Sequence, residues 1–327
     1  MIASARSDAD WMRAAIALAG RGRALSSPNP AVGCILVRDD RVIGRGWTDR
    51  GGRPHAEAMA LDAAGDAARG ATAYVTLEPC AHQSARGPAC ADLLIAAGVA
   101  RVVVAVQDPD PRTNGDGIAR LRAAGIAVDT GIAQAEARAS LAGFLTRQTL
   151  GRPFVTLKLA TSLDGQIALA DGTSRWITGD EARAHAHLER AHHDAILVGG
   201  GTLRTDAPRL DVRIPGLEHR SPRRVLLSRM GDAPPDWTAI RSPHDIGSLD
   251  GVDWLMVEGG AEVAAAFLAA DMVDRLLLYR APVLIGQGRG ALGDIGLTDL
   301  PQAHGRWQIQ DTRLLGNDRM ESYQRVR

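Results

Sequence analysis

The chain has 327 residues, of which 45% are hydrophobic and 23% charged, as in ordinary globular proteins. Its 38 basic residues balance its 38 acidic ones, so no net charge attracts nucleic acid or an anionic membrane. No apolar run is long enough to cross a bilayer, and Asp8 and Asp10 interrupt the apolar core that a signal peptide needs. We therefore expect a cytoplasmic protein, in which three cysteines argue against a disulfide framework.

Helical and strand-like segments alternate through the first half of the chain. Apolar stretches on either side of Asp39 and Asp40 predict a β-hairpin with its turn at the two aspartates. Hydrophobic periodicity and glycine stops predict helices over 8–20, 56–68, 91–97 and 117–124, and strands over 73–77, 101–106 and 126–129. Such alternation is typical of a layered α/β domain.

A second pattern starts near Pro153, which precedes an apolar strand. The sequence predicts further strands and helices beyond it, with strands over 154–159, 195–198, 225–228, 254–257 and 275–280, and helices over 181–193 and 262–270. These segments form a second α/β unit. We therefore expect two domains, residues 1–148 and 149–327.

Four residues of the first half have the types and spacing of a catalytic zinc site. His55 and Glu57 stand at a predicted helix start, Cys80 ends an E-P-C run, and nine residues separate Cys80 from Cys90. One imidazole and two thiolates suit tetrahedral zinc, and three protein ligands leave the fourth position for water. Zinc lowers the pKa of that water, and Glu57 is placed to move protons to a departing amine. The same pattern marks zinc-dependent nucleobase deaminases.

Structural roles are the alternative for these residues. His55 and Glu57 would then stabilise a helix start through capping and the helix dipole, and the cysteines would be small buried side chains. His82 is a candidate fourth ligand, which would make the zinc structural. Cys34 lies inside an apolar strand, where a core position is expected.

The segments around these residues resemble one family, the bifunctional riboflavin-biosynthesis deaminase-reductases. In the first half the resemblance rests on PNPAVG at 28–33, HAE at 55–57, TLEPCAH at 76–82 and DPDP at 108–111. In the second half it rests on KLATSLDG at 158–165, WITG at 176–179, DAILVG at 194–199, VEGG at 257–260 and APVLIG at 281–286. Because it covers nearly the whole chain, the resemblance separates the protein from simple cytidine or tRNA adenosine deaminases.

This resemblance implies a cytidine-deaminase-like three-layer α/β domain followed by a dihydrofolate-reductase-like α/β domain. It implies zinc and NADPH as cofactors, a small phosphorylated pyrimidine as substrate, and self-association into a homo-oligomer. The implied substrate is 2,5-diamino-6-ribosylamino-4-pyrimidinone 5′-phosphate, which is deaminated and then reduced at C1′ of its ribosyl group. Neither nucleic acid nor a membrane is an expected partner.

The same resemblance assigns roles to individual residues. It gives catalysis to Glu57 and Asp206, and the metal to His55, Cys80 and Cys90. The implied substrate contacts are Asn29, Lys158, Ser174, Arg190, Leu210, Arg213 and Glu258. The implied cofactor contacts are Ala160, Trp176, Thr202, Asp206, Ser228 and Gly260.

By themselves, the residues of the second half leave alternatives open. Glycines after two of the strands would let the backbone approach phosphates, but tight turns explain them as well, and neither run is a G-x-G-x-x-G fingerprint. Lys158, the one lysine of the chain, would meet a phosphate together with Arg190 and Arg213, or all three would be solvated. Asp206 would handle a proton or cap its own turn, and Asn29 would bond the pyrimidine or form a turn.

The chain departs from the family pattern in two places. The spacing between Cys80 and Cys90 is one residue longer than usual, which enlarges a loop. The stretch 229–253 is shorter than usual where the family has a further strand and helix that frame the adenosine end of the cofactor. The shortening is expected to affect the affinity for NADPH and the preference for NADPH over NADH. The rival functions are a deaminase with an inactive reductase domain, a nucleic-acid deaminase, which the neutral charge disfavours, and a non-catalytic zinc-stabilised module.

Overall fold

The computed structural model describes residues 6–82, 86–229 and 233–327. The spacer between Cys80 and Cys90 and the shortened stretch therefore each include three residues outside the described ranges. Two compact units divide the chain, Met1–Gly151 and Arg152–Arg327. This division falls after the helix Ala142–Leu150, whereas the expected boundary at 148/149 lies inside that helix. No helix of the described residues is long and apolar enough to cross a membrane.

The first unit is built on a five-stranded sheet in the order β2-β1-β3-β4-β5. Its strands are β1 (Gly33–Arg38), β2 (Arg41–Trp47), β3 (Thr72–Val75), β4 (Arg101–Val104) and β5 (Ala127–Thr130). Its helices are α1 (Asp8–Ala19), α2 (Ala56–Ala64), α3 (Cys90–Ala97), α4 (Asp116–Ala123), α5 (Gln134–Ser140) and α6 (Ala142–Leu150). β1 is antiparallel to both of its neighbours, and β3, β4 and β5 are parallel.

Two glycines show which helix covers which face of this sheet. A Cβ on Gly33 would lie 2.0 Å from the Ala15 carbonyl oxygen in α1, and a Cβ on Gly46 would lie 2.0 Å from the Ala56 carbonyl oxygen in α2. Gly46 pairs with Cys34, the residue after Gly33, and successive residues of a strand face opposite sides. The two helices therefore cover opposite faces, which confirms the three-layer arrangement. Cys34 is fully buried between β1 and α2, as expected of a core position.

The second unit contains an eight-stranded sheet in the order β10-β9-β8-β11-β6-β12-β15-β14 and a separate pair, β7 with β13. Its strands are β6 (Phe154–Thr161), β7 (Gln166–Leu169), β8 (Ala195–Gly199), β9 (Arg223–Leu227), β10 (Thr238–Ile240), β11 (Trp254–Val257), β12 (Arg275–Arg280), β13 (Gly288–Gly290), β14 (Trp307–Leu315) and β15 (Asp318–Arg325). Its helices are α7 (Asp180–Arg190), α8 (Gly200–Asp206) and α9 (Ala261–Ala269). The strands from β10 to β12 are parallel, so their carboxyl ends meet at one edge of the sheet.

Each helix and strand that the sequence predicts has a counterpart, with small shifts at the ends. The helix predicted over 56–68 ends at Ala64, because Gly65 has a positive φ of 53° and a 3₁₀ turn, Gly65–Ala68, follows. The shortened stretch keeps more structure than its polar sequence indicates. It contains β10, which pairs with β9, and a 3₁₀ turn, Pro243–Ser248, that Ser242 caps.

The C-terminal hairpin of β14 and β15 was not predicted. Its signal is present in the sequence, because Gly316-Asn317 is a two-residue turn between two strand-like runs. Six of the nine residues of β14 are exposed, so the strand lacks the apolar face that marks a buried strand. Its weak hydrophobic pattern explains why β14 is not predicted from the sequence.

Candidate functional site

Three predicted metal ligands meet in the first unit. His55 directly precedes α2, Cys90 begins α3, and Cys80 lies in the loop after β3. The Nδ1 atom of His55 lies 3.2 Å from Cys90 Sγ and 3.7 Å from Cys80 Sγ, and all three atoms lie within 4.8 Å of one another. Tetrahedral zinc, with bonds of about 2.0 Å to nitrogen and about 2.3 Å to sulfur, places N and S roughly 3.6 Å apart. The donor set therefore fits zinc in both chemistry and spacing.

His82 does not join this group among the described residues. Its Nδ1 lies 3.4 Å from the hydroxyl of Thr113 instead. A group of three protein ligands leaves a coordination position for water, as a catalytic site requires. The arrangement thus disfavours the structural-zinc alternative.

Glu57 lies in the first turn of α2 and is 3% exposed. Burial raises the pKa of its carboxyl to about 7, and the neighbouring His55 opposes that rise. The position of Glu57, two residues after one candidate ligand and beside Cys80 and Cys90, puts its carboxyl next to the metal group. No capping bond is made by His55, so the capping alternative finds no support.

Asn29 lies beside the same group. Its amide nitrogen is 2.7 Å from His55 Nε2 and 2.9 Å from the carbonyl oxygen of Gly52. A Cβ on Gly52 would lie 2.8 Å from the Asn29 side chain, so position 52 has no room for one. The sequence predicted a substrate contact for Asn29, and the structure adds that its amide donates to Gly52 and lies against the His55 ring.

One acidic residue of this region was missed as a site residue. Asp108 appeared only as part of the D-P-D-P run, yet it is 7% exposed and lies near Cys80 and Glu78. Burial raises the pKa of Asp108 to about 6. A buried carboxyl with a raised pKa next to a metal group is a candidate functional residue. The sequence did not reveal it, because 28 positions separate Asp108 from Cys80 and only folding brings the two together.

The second unit contains a cleft of about 1620 Å³ at the carboxyl edge of its parallel strands. Nearly all of the predicted reductase residues line it, namely Lys158, Ala160, Ser174, Trp176, Arg190, Thr202, Asp206, Leu210, Arg213, Glu258 and Gly260. Ser228 is the exception; it lies between two lining residues, Leu227 and Arg229. The cleft also holds residues that the sequence did not single out, including His187 and seven further arginines (Arg175, Arg183, Arg204, Arg209, Arg229, Arg241 and Arg289).

A buried ion pair lies at the floor of this cleft. Arg190 donates from Nε to Glu258 Oε1 at 2.7 Å and from Nη2 to Oε2 at 2.8 Å. Lys158 Nζ lies 3.9 Å from the same carboxylate and 5.7 Å from the centre of the Tyr279 ring. Burial opposes ionisation of Glu258, but Arg190 and Lys158 hold its pKa at about 2. Desolvation lowers the pKa of Lys158, which Glu258 partly offsets.

The contacts of Arg190 and Arg213 differ from those that the sequence implies. A third nitrogen of Arg190 donates to the Asp211 carbonyl at 3.1 Å, so this guanidinium is engaged within the protein. Arg213 lies 3.2 Å from His187 Nε2, and its side chain is 52% exposed. Arg213 is therefore better placed than Arg190 to meet a phosphate from solvent.

The glycines of the cleft suit a phosphate-bearing cofactor. A Cβ on Gly199 or Gly259 would lie 2.4 or 2.5 Å from the Val263 side chain, so these two positions let α9 approach the sheet. Gly201 and Gly260 face open space, which leaves their backbone accessible. Gly260 directly precedes α9 and offers no side-chain cap, so the first N–H groups of the helix are suited to a phosphate.

Comparisons with known proteins agree with both sites. The cytidine and deoxycytidylate deaminase zinc-binding region matches residues 5–106, and the RibD C-terminal domain matches residues 153–245 and 248–320. The riboflavin biosynthesis protein RibD of Escherichia coli K12 is 39% identical, and the match covers 95% of this chain and 97% of that protein. The chain belongs to the RibD family.

Other RibD relatives match over similar lengths. The Mycobacterium tuberculosis protein is 39% identical over 89% of both chains. The Acinetobacter baumannii RibD structure is 35% identical with a TM-score of 0.89, and covers 98% of this chain and 99% of that one. A Thermotoga maritima deaminase/reductase structure is 31% identical with a TM-score of 0.87 and the same coverage.

Membership of the RibD family decides the class of activity. The chain is a bifunctional deaminase and reductase of riboflavin biosynthesis, and it has a zinc-binding deaminase domain and a reductase domain of the type that uses NADPH. The fold expected from the sequence is confirmed for both halves. A nucleic-acid deaminase and a non-catalytic zinc module are both excluded by the matched reductase half and by the family.

Proposed function

We propose that the protein deaminates 2,5-diamino-6-ribosylamino-4(3H)-pyrimidinone 5′-phosphate and then reduces the ribosyl group to give 5-amino-6-ribitylaminouracil 5′-phosphate. The observation that carries the proposal is the presence of both sites in one chain of this family. In one unit, a His/Cys/Cys group lies beside a buried glutamate. In the other, a cleft is lined by glycines and by a cluster of Lys158, Glu258 and Arg190.

In the deaminase unit, His55, Cys80 and Cys90 would hold zinc. When bound, the metal supplies a Lewis acid that makes water a nucleophile near neutral pH. The Glu57 carboxylate takes the two protons of the attacking water in turn, delivering one to the ring nitrogen and the other to the 2-amino group, which leaves as ammonia as the C2 carbonyl forms. Asn29 orients the pyrimidine ring, and its hydrogen bond to the Gly52 carbonyl oxygen restricts the side chain.

In the reductase unit, NADPH supplies the hydride that reduces C1′. Lys158 and Glu258 contact the ribosyl group, and Arg190 keeps the Glu258 carboxylate ionised and fixed in direction. Arg213 binds the 5′-phosphate from the open side of the cleft, and Ser174 and Leu210 complete the substrate contacts. Asp206, at the end of α8, gives the proton that the opening sugar ring takes up.

The remaining cofactor contacts follow the edge of the sheet. Ala160 and Trp176 would lie at the nicotinamide end, and Thr202, Ser228 and Gly260 would hold the phosphates and the adenosine. The completeness of this cleft favours an active reductase over the alternative of a deaminase with an inactive second domain. We also infer a homo-oligomer, because edge strand β14 exposes Ile309 and Leu314 at 54% and 77%. The cytoplasmic location proposed for it rests on the sequence composition alone.

Two assays test the two activities separately. In the first assay, zinc-loaded protein should release ammonia from the diamino substrate. In the second, the protein is given NADPH and the already deaminated ribosylaminouracil phosphate, and NADPH oxidation should match the formation of the ribitylamino product. Ammonia release without NADPH oxidation would support the inactive-reductase alternative. Absence of both, in folded zinc-loaded protein, would overturn the proposed substrate.

A further inference from the structure

The two ends of the cleft in the reductase unit differ, and this difference sets the direction in which the cofactor lies. Two of the residues proposed to contact substrate, Lys158 in β6 and Glu258 directly after β11, lie 3.9 Å apart. Hydride transfer requires the nicotinamide to lie at that end. The accessible glycine backbone at the ends of β8 and β11 then takes the pyrophosphate, as argued above. The adenosine must continue along the strand ends towards β9 and β10.

Sheet geometry supports this placement. β6 and β10 are separated by four strand spacings in the order β6-β11-β8-β9-β10, which corresponds to roughly 19 Å. All of these strands are parallel and end at the same edge. The cleft follows the edge, because a residue at or near the carboxyl end of each of the five strands lines it, namely Ala160, Glu258, Gly199, Leu227 and Arg241.

Two arginines lie at the far end of the cleft, Arg229 after β9 and Arg241 after β10. Arg241 donates from Nη1 to the Ser228 carbonyl oxygen at 2.9 Å, which holds its guanidinium against the end of β9. Its backbone N–H donates to the Asp245 carboxylate at 3.0 Å, and so does that of Ser242 at 2.9 Å. These hydrogen bonds fix the backbone of Arg241 and hold its guanidinium beside the predicted cofactor contact Ser228.

The charge at this end suits a phosphate and does not suit a free ribose hydroxyl. Among the described residues that line the cleft after β9 and β10, Arg229 and Arg241 are charged and no carboxylate occurs. The nearby Asp245 is turned to backbone N–H groups. Enzymes that select NADH place a carboxylate on the ribose 2′-hydroxyl, whereas an arginine at that position accommodates a 2′-phosphate.

We propose that Arg241, together with Arg229, binds the adenosine 2′-phosphate of NADPH and sets the preference of this chain for NADPH over NADH. The inference rests on the proposed reductase function and adds the specificity residues to it. It also gives the shortened stretch 229–253 a function, because β10 and the turn after it are what bring Arg241 to the cleft. Five other cleft arginines form ion pairs with carboxylates, as Arg209 does with Asp211 at 2.6 Å.

The test is equilibrium binding of NADPH and NADH to the full-length chain, followed by cofactor fluorescence or calorimetry without substrate. Arg241→Gln and Arg229→Gln should each raise the Kd for NADPH at least about tenfold, the effect of one lost charge-assisted hydrogen bond. The Kd for NADH should change less than about twofold. The fragment 2′,5′-ADP should lose affinity like NADPH, and 5′-AMP should not.

Arg223→Gln is the matched control, since Arg223 begins β9 at the opposite end of the strand and donates to the Asp250 carbonyl. It should change neither Kd. An unchanged NADPH-to-NADH ratio in both cleft variants would overturn the inference, whether both affinities fall together or neither does. Urea unfolding of the same preparations checks that the second unit, which contains the cleft, is as stable as in the wild type. Wild-type protein that binds neither nucleotide would contradict the proposed reductase function itself, which is a different outcome.

Discussion

The carboxylate of Glu78 accepts a hydrogen bond from the backbone N–H of Gly115 at 3.0 Å, across 37 positions of the chain. It also accepts from the backbone N–H groups of Asp108 at 3.2 Å and Ile118 at 3.1 Å. Glu78 is 3% exposed, and α4, which follows Gly115, has no side-chain cap of its own residues. One buried carboxylate therefore caps α4 and anchors the preceding loop, two residues ahead of Cys80.

Glu78→Gln is expected to loosen this loop. The amide keeps one acceptor oxygen but turns an NH₂ group towards backbone donors, which leaves buried N–H groups without a partner. We expect the free energy of unfolding to fall by about 2 kcal/mol and the deaminase kcat/KM to fall by about tenfold. Urea unfolding and ammonia release measure the two effects.

Asp92→Asn provides the comparison for Glu78→Gln. It makes the same chemical change in an exposed ion pair with Arg120, where 37% and 41% of the two side chains are accessible. Such pairs contribute about 0–1 kcal/mol, so little change is expected. Equal losses in the two variants would show that Glu78 does not have the proposed anchoring role. Zinc content should stay at the wild-type level in both.

Loss of a metal ligand should separate the two activities. Cys90→Ser, or removal of the metal with a chelator, should abolish ammonia release because too few donors remain for zinc. NADPH oxidation with the deaminated substrate should persist, since the reductase cleft lies wholly in the second unit. Zinc content by mass spectrometry and the two assays report the result. Cys34→Ala, which removes a buried thiol outside the metal group, should keep its zinc and its deaminase activity.

Glu57→Gln should keep the metal and lose the proton transfer. An amide of the same shape cannot accept the water proton, so kcat for ammonia release should fall by a factor of about 10² to 10⁴. Zinc content should remain at the wild-type value. Glu136→Gln, an exposed glutamate near Arg13, is the control and should behave like the wild type. Near-normal turnover by a zinc-loaded Glu57→Gln variant would refute the assignment of Glu57.

The Glu258–Arg190 pair predicts a pH-dependent contribution to stability. The pKa of Glu258 is about 2 in the folded chain, below its ordinary value of 4.5, so the ionised carboxylate stabilises the fold above about pH 4.5. This contribution fades as the pH falls from 4.5 towards 2. At pH 7, Glu258→Gln should lower the free energy of unfolding by about 3 kcal/mol, because Arg190 and Lys158 lose their buried partner.

Unfolding of wild type and Glu258→Gln at a series of pH values measures this effect. The gap between the two curves should be constant from pH 7 to about 5 and should narrow at lower pH. Asp180→Asn, in an ion pair whose aspartate is 88% exposed, should give a small gap at every pH. A gap that stays wide at pH 3 would mean that Glu258 acts through its shape and not through its charge.

The metal group could be predicted from the sequence because its geometry is largely local. His55 and Cys90 stand at helix starts and Cys80 follows a strand end, so hydrophobic periodicity already places all three at the same kind of junction. Glu57 follows His55 within one helical turn. The alternation of helices and strands likewise predicted two α/β units, because buried strands and amphipathic helices have distinct periods.

Elements without a strong apolar period were harder to predict. β14 is mostly exposed, and β10 has three residues within a polar stretch, so their pairing with neighbouring strands decides their structure. The division between the units lies three residues beyond the predicted 148/149 boundary, because α6 continues to Leu150 and Gly151, with a positive φ, ends it.

By itself, the sequence determined the class of chemistry and the order of the two activities along the chain, and it predicted the His/Cys/Cys metal group and the glutamate beside it. Ligand types and short spacings suffice for these, because coordination chemistry and helix starts act over a few residues. Only the tertiary structure decided the partners of the charged groups. Glu78 with Gly115, Arg190 with Glu258, and Arg241 with Ser228 are 37, 68 and 13 positions apart. Buried charges take their partners from whatever packing brings within hydrogen-bond distance, and a linear pattern does not specify that packing.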